Sequence, residues 1–176
     1  MLGRMKASAR ARLGLGIATI LVAVALAGCA GPGLNRLEPG LDEGAVVARW
    51  GMPTGRYALP EGTRLEYATG PYGQETWMVD LDRDGRVVRA RQVLEYMALQ
   101  GVQAELPGMD RAQLLRTLGR PGEVRSGGRQ GGQVWSWRID SPFCLWFQVG
   151  VGDDGRVTDA VFSPDPLCDA RDDDRM

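Results

Sequence analysis

The sequence predicts an α+β protein built from two tandem repeats, each a short helix (or helix pair) packed on a three-stranded antiparallel sheet. Three observations carry this expectation. Blocks of sequence recur, and such repeats are to be sought before any other pattern. Pro39-Gly40-Leu41-Asp42 returns as Pro107-Gly108-Met109-Asp110, Val46-Val47 as Leu114-Leu115, and Trp50-Gly51-Met52-Pro53 as Leu118-Gly119-Arg120-Pro121, all offset by 68. Farther on, Leu65-Glu66-Tyr67 matches Trp135-Ser136-Trp137 and Asp84-Gly85-Arg86-Val87 matches Asp154-Gly155-Arg156-Val157, offset by 70, so two residues were gained between the blocks. Helix start and stop signals fall at matched positions, and alternating apolar runs with Asp-Gly turns follow each helix.

Asp42 and Asp110 are helix N-caps, their carboxylates placed to accept from the first free backbone amides. Leu41 with Val46, and Met109 with Leu114, have the spacing of a hydrophobic staple. Each helix runs about two turns, to Trp50 or Leu118. Gly51 and Gly119 then supply the left-handed residue, and Pro53 and Pro121 prevent continuation. Strands are expected at Arg64–Ala68, Glu75–Leu81 and Val87–Val93, and again at Gln133–Asp140, Phe143–Val151 and Val157–Phe162. Trp77, Val79 and Leu81 alternate onto one sheet face, as do Phe143, Leu145, Phe147, Val149 and Val151. Asp-Gly at 84–85 and 154–155 marks tight hairpins. Leu94–Leu99 adds a short helix between the units. About 70 residues make a thin core, so the two units are expected to pack on each other.

The N-terminus has the three-part order of an export signal. Arg4, Lys6, Arg10 and Arg12 are basic, Leu13 to Leu26 are apolar or small, and Leu26-Ala27-Gly28-Cys29 follows. Leu-Ala-Gly-Cys in this place resembles the lipobox of bacterial lipoproteins. The resemblance implies cleavage between Gly28 and Cys29 and acylation, palmitate included, of the Cys29 thiol and new amine. A permanent transmembrane anchor is the alternative, but the apolar run falls short of the roughly 20 residues a span requires. Two or more acyl chains anchor stably where one does not. Ala30, where an Asp would signal inner-membrane retention, resembles an outer-membrane-directed chain. The expected organisation is a signal peptide at 1–28, a lipidated tether at 29–36, a first repeat at 37–93, a second at 94–168 and an acidic tail at 169–176.

Composition narrows the chemistry. Of 21 basic and 22 acidic residues, the four basic ones named above leave with the signal, so the remainder is net acidic and a poor match for nucleic acid. The chain has no histidine, which removes the commonest general base and metal ligand. Ser126, Ser136 and Ser141 therefore have no partner for a Ser-His-Asp triad. Asp80-Leu81-Asp82-Arg83-Asp84-Gly85 has the opening of a calcium loop, but position 12 is Arg91 where Glu is required, and the sister unit has Gly150 and Gly152 for Asp80 and Asp82. Gly127 to Gly132 lacks the Lys-Ser/Thr ending of a phosphate loop and precedes a strand. No metal, cofactor or enzymatic activity is expected. Of three cysteines, Cys29 goes to lipid. Cys144 and Cys168 are left to pair in an oxidising compartment, or to stand as two buried thiols.

Trp135, Trp137 and Trp146 place large apolar groups on both faces of one hairpin. One face must meet the helix; the other meets the first unit or a protein partner.

The unit Pro-Gly-Leu/Met-Asp, helix, Gly-x-Pro, then a hairpin closing on Asp-Gly-Arg-Val, resembles the SmpA/OmlA (BamE-like) family of small outer-membrane lipoproteins. The resemblance spans roughly Leu37 to Ser163 and includes the lipobox. That family typically has one such domain where this chain has two. The tandem arrangement also resembles the β-lactamase inhibitory protein fold, in which duplicated helix-plus-sheet units present a concave sheet to a partner. These resemblances imply a non-catalytic lipoprotein on the periplasmic side of the outer membrane that binds an envelope protein, in β-barrel assembly or envelope integrity. The alternative is an inhibitor or ligand-sequestering module that binds a periplasmic target through its sheet face.

Overall fold

Two short helices with the same start and stop chemistry set the frame. The computed structural model describes residues 37–168. Helix α1 (Glu43–Trp50) is capped by Asp42, whose Oδ1 accepts from the Ala45 amide at 2.8 Å. The corresponding helix in the second half, Arg111–Leu118, is capped by Asp110, which accepts from Gln113 N at 2.7 Å while the Gln113 side chain accepts from Asp110 N at 2.9 Å. Both helices stop on a glycine of positive φ, Gly51 at 81° and Gly119 at 78°. Their amides donate back to Val47 O and Leu115 O, each at 2.8 Å.

Each helix leads into an antiparallel sheet of four strands. The first holds β1 (Gly55–Leu59), β2 (Gly62–Ala68), β3 (Thr76–Leu81) and β4 (Val87–Gln92), in that order. Helix α2 (Tyr96–Val102) and a 3-10 turn over Gln103–Glu105 lead to the second capped helix, α3 (Arg111–Leu118). The second sheet holds β5 (Glu123–Ser126), β6 (Gln133–Arg138), β7 (Leu145–Val151) and β8 (Val157–Pro164), again in chain order. The sequence expectation of three strands per sheet is corrected to four. β1 and β5 are short edge strands, with alternate residues exposed in β1 and the last three exposed in β5, and neither carries an apolar face long enough to be read alone. The inter-unit helix begins at Tyr96 rather than Leu94.

The two halves agree in detail. Each last hairpin is irregular at one place, between Asp80 and Leu81 and between Gly150 and Val151. Isolated bridges join Asp42 to Arg86 and Asp110 to Arg156, tying each helix cap to the Asp-Gly hairpin. Arg86 Nη1 donates to Gly40 O at 3.1 Å, and Arg156 Nη1 to Gly108 O at 2.9 Å. The paired arginines thus hold the residues before each cap, which accounts for the recurring Asp-Gly-Arg-Val.

The layers follow from which face of each sheet is apolar. One face of the first sheet (Leu65, Val79, Leu81, Val87) packs on Val46 of α1 and on Leu37. Its opposite face meets α3. Arg64 Nη1 donates to Arg116 O at 2.6 Å, and the Arg120 amide donates to Glu66 Oε1 at 3.2 Å. Met78 from this face joins the second core, where Leu114 and Leu118 of α3 meet Trp135, Trp137, Phe147 and Val149. The order through the molecule is therefore α1, first sheet, α3, second sheet. α2 closes one flank, with Leu99 and Leu106 buried and Gln103 Nε2 donating to Ala160 O at 2.7 Å.

The shared helix makes an asymmetric prediction. Gly51 and Gly119 have the same backbone, but a Cβ on Gly51 meets nothing within 4 Å, whereas one on Gly119 lies 2.8 Å from Thr76 Cγ2 and 3.1 Å from the Glu66 carboxyl carbon. Gly51→Ala is expected to cost only the strain of a backbone region that glycine alone reaches easily (φ 81°, ψ −169°), about 1–3 kcal/mol. Gly119→Ala should cost about 1–3 kcal/mol more, the scale of overpacking. Urea unfolding of the two variants checks this; equal midpoints would contradict the sandwich.

Candidate functional site

The residues singled out in the sequence fall in three places. Gly28 and Cys29 lie outside the described residues. Cys144 and Cys168 are joined as a disulfide, with Cα atoms 6.2 Å apart. The bridge ties the β6–β7 connection to the segment after β8, and Asp165 N donates to Cys144 O at 2.9 Å beside it. Cys144 is the one non-glycine with positive φ among the described residues, at 53°. Closing a loop of about 25 residues contributes about 3 kcal/mol in the chain-entropy model.

The three tryptophans are packed inside. Trp135 and Trp137 line the α3 face of the second sheet with ring centroids 6.3 Å apart, and Trp137 is 1% exposed. Trp146 points from the opposite face and is only 3% exposed. Arg125 and Arg138 cover its ring, their guanidinium carbons 5.3 and 5.4 Å from the centroid. The reading of these rings as a partner-binding surface is corrected: their apolar area is taken by α3 on one side and by two arginines on the other. The exposed aromatics are instead Tyr72 and Phe143, which stand at matched hairpin connections. Their signal in the sequence is a recurring Pro-aromatic pair, Pro71-Tyr72 and Pro142-Phe143.

Two polar clusters lie on the first sheet where α3 covers it, and the sequence reading missed both. Glu66 is fully buried. Its carboxylate accepts a short hydrogen bond from the Tyr57 hydroxyl, one from Thr54 Oγ1 at 3.3 Å and one from Arg120 N at 3.2 Å. Burial, then the bond to Glu66 and its charge, push the Tyr57 phenol well above its ordinary range, so it remains a donor. One residue pair along, Asp80 accepts from Arg64 Nε and from Arg64 Nη2 at 2.9 Å, and from Arg89 Nε at 2.7 Å. Burial acts to raise the Asp80 carboxyl, but the bonds and charges of the two arginines together hold it below its ordinary 3.8.

This is the chemistry of a clamp. Each carboxylate is saturated by hydroxyl, amide or guanidinium donors, and each donor set reaches across to α3 or to a neighbouring strand. Asp82, second in the calcium-like run, spends Oδ1 on the amides of Asp84 and Arg86, both at 2.9 Å, as the cap of a turn. Past the end of α3 a pocket of about 240 Å³ opens between the sheets, walled by Thr54, Thr76, Leu94, Arg120 and Trp137.

Asp80 gives stability a defined pH dependence. Its folded pKa lies below the unfolded one, so its contribution is complete above about pH 4 and is lost as pH falls through the folded value. Asp80→Asn leaves Arg64 buried without its counter-charge and should cost about 3 kcal/mol at pH 7. The gap between variant and parent should narrow below pH 3.8, measured as unfolding midpoints across pH; a constant gap would contradict the ion pair.

Comparison of the chain with protein-family models, with curated proteins and with solved structures finds no match to any of them.

Proposed function

We propose that this chain is an outer-membrane-anchored lipoprotein, built from two tandem SmpA/OmlA-like repeats, that acts as a non-catalytic protein-binding module in the cell envelope. The observation that carries this reading is Leu26-Ala27-Gly28-Cys29 at the end of a basic-then-apolar N-terminus. A disulfide between the two remaining cysteines fits an oxidising compartment outside the cytoplasm. The matched helix caps, hairpin irregularities and cap-to-hairpin bridges of the two halves support descent from one duplicated unit. The binding role in β-barrel assembly or envelope integrity rests on the resemblance of each repeat to the SmpA/OmlA family. An inhibitor acting through an aromatic sheet face has less to stand on, because Trp135, Trp137 and Trp146 are packed away.

Two measurements test the proposal. Metabolic labelling with palmitate should mark the parent protein and leave Cys29→Ala unlabelled, with the variant retained at its unprocessed mass. Crosslinking in living cells should attach the parent to a defined envelope protein. An unlabelled parent removes the lipoprotein reading, and recovery of no envelope protein above background removes the binding role.

A further inference from the structure

Strand β4 is an edge of the first sheet: Val87 at its start exchanges backbone bonds with Gly40 and Leu41 on the outer side, and beyond Val87 no strand pairs there among the described residues. Arg64 and Arg89 lie opposite Asp80 from its two neighbours, and Glu66 and Arg91 lie opposite Met78, so three arginines share one sheet face with two carboxylates, of which Glu66 is already committed to Tyr57, Thr54 and the Arg120 amide. Every nitrogen of Arg64 is engaged: Nε and Nη2 donate to Asp80 and Nη1 to Arg116 O. Arg89 gives Nε to Asp80, but its side chain is 59% exposed and its two terminal nitrogens find no acceptor among the described residues. Arg91 forms neither a hydrogen bond nor a salt bridge among the described residues. Burial first, and then the charges of Arg64 and Arg89, pull its pKa down against the opposing charge of Asp80. Glu61, the nearest acid at that end, is paired with Arg83 at 3.0 Å.

The fold does not require this crowding. In the second half the matched positions are Val134 for Arg64, Gly150 for Asp80, Asp159 for Arg89 and Val161 for Arg91, and that sheet forms without a cation at any of them. The second sheet's edge strand β8 carries a single charge, Asp159, and is met by Gln103, whose Nε2 donates to Ala160 O. What remains is a pair of like charges that an anion would relieve.

We propose that Arg89 and Arg91 form a docking site for an extended acidic segment of a partner protein; this rests on the protein-binding reading above. The two arginines stand two residues apart on one face of a strand, so their side chains repeat at about 6.8 Å. A strand with carboxylates at alternate positions repeats at the same interval, and each guanidinium fork matches a carboxylate. The outer edge of β4 offers main-chain groups for strand addition beside them. On the sheet face beside Arg89 a groove of about 430 Å³ runs across to Leu59 and Glu61 at the β1 end, and Val88 in its wall is 55% exposed. The net negative charge of the chain does not prevent this, because charges more than about 8 Å away are largely screened at physiological salt.

The test uses the full chain purified in detergent and a fluorescein-labelled Glu-Val-Glu-Val-Glu peptide, read by anisotropy. The parent should bind. Arg89→Gln/Arg91→Gln should bind about tenfold more weakly, the scale of two exposed or partly exposed ion pairs. Added salt should weaken the parent, and Arg49→Gln/Arg129→Gln should bind as the parent does. Both double variants change exposed side chains, and circular dichroism verifies that they fold. Equal binding by parent and Arg89→Gln/Arg91→Gln overturns the site. So does capture of phosphatidylglycerol vesicles through these arginines with no peptide bound, which assigns the patch to a bilayer. Crosslinking in cells separates the two levels. If Arg89→Gln/Arg91→Gln attaches to the same envelope protein as the parent, this surface is wrong and the binding role stands. If the parent attaches to none, the binding role itself is gone.

Discussion

One helix serves two sheets, and most of the structure is arranged around that fact. α3 gives Leu114 and Leu118 to the second core and turns its carboxyl end onto the first sheet, where Arg64 and Glu66 meet it. A helix wrapped on both sides needs a narrow approach on one of them. Gly119 supplies it, buried against Thr76 and Glu66 where a side chain would collide. The polar contacts follow from the same geometry. The helix end presents a carbonyl and a free amide to the sheet, and both must be satisfied once water is excluded. Arg64 answers the carbonyl and Glu66 the amide.

Those answers bring buried charges with them. An ion leaving water costs several kcal/mol unless it is paired and hydrogen-bonded. Asp80 neutralises Arg64 on two oxygens, and Tyr57 and Thr54 share Glu66 with the helix amide. The junction gains register more than raw stability. A helix shifted by one residue would offer neither carbonyl nor amide to these two side chains, leaving a buried guanidinium and a buried carboxylate without partners. An apolar contact of similar area would tolerate that slip.

The legible part of this architecture was the punctuation. Asp42 and Asp110, Gly51 and Gly119, and the two Asp-Gly turns each specify local geometry through their own side chains or lack of one, so their meaning does not depend on distant residues. β1 and β5 escaped because their status as strands comes from pairing. Arg56 and Ala58 are exposed, Val124 is 47% exposed, and only the neighbours β2 and β6 turn these segments into strands. The junction escaped for a related reason. Arg64, Glu66 and Asp80 alternate with Leu65 and Val79, and alternation of that kind reads as a solvated outer face. Nothing local announces that a helix from much later in the chain will cover it. Trp146 misled in the opposite direction. Its size suggested an interface, and the two arginines that cover it come from other strand positions.

The divergence between the halves sets the outer face of the second sheet apart from the face of the first that receives α3. A stacked array continues only while each outer surface is made to receive the next unit, and terminal units carry a polar outer face. On the first sheet Thr76, opposite Ala68, is small enough for Gly119 to approach. At the same register of the second sheet stands Trp146, opposite Arg138, and its indole fills the space into which a helix end would fit. Around it the second sheet carries Val134, Ser136 and Gly150 where the first has Arg64, Glu66 and Asp80, so the charged groups that meet a helix end have no counterpart, and Gln148 Nε2 spends its hydrogen bond on Ser136 Oγ at 3.1 Å. A third helix would have to displace two arginines from an aromatic ring and leave that amide unpaired. The change from Thr to Trp at one matched position, with arginines over the ring, fills on the second sheet the approach that Gly119 uses on the first.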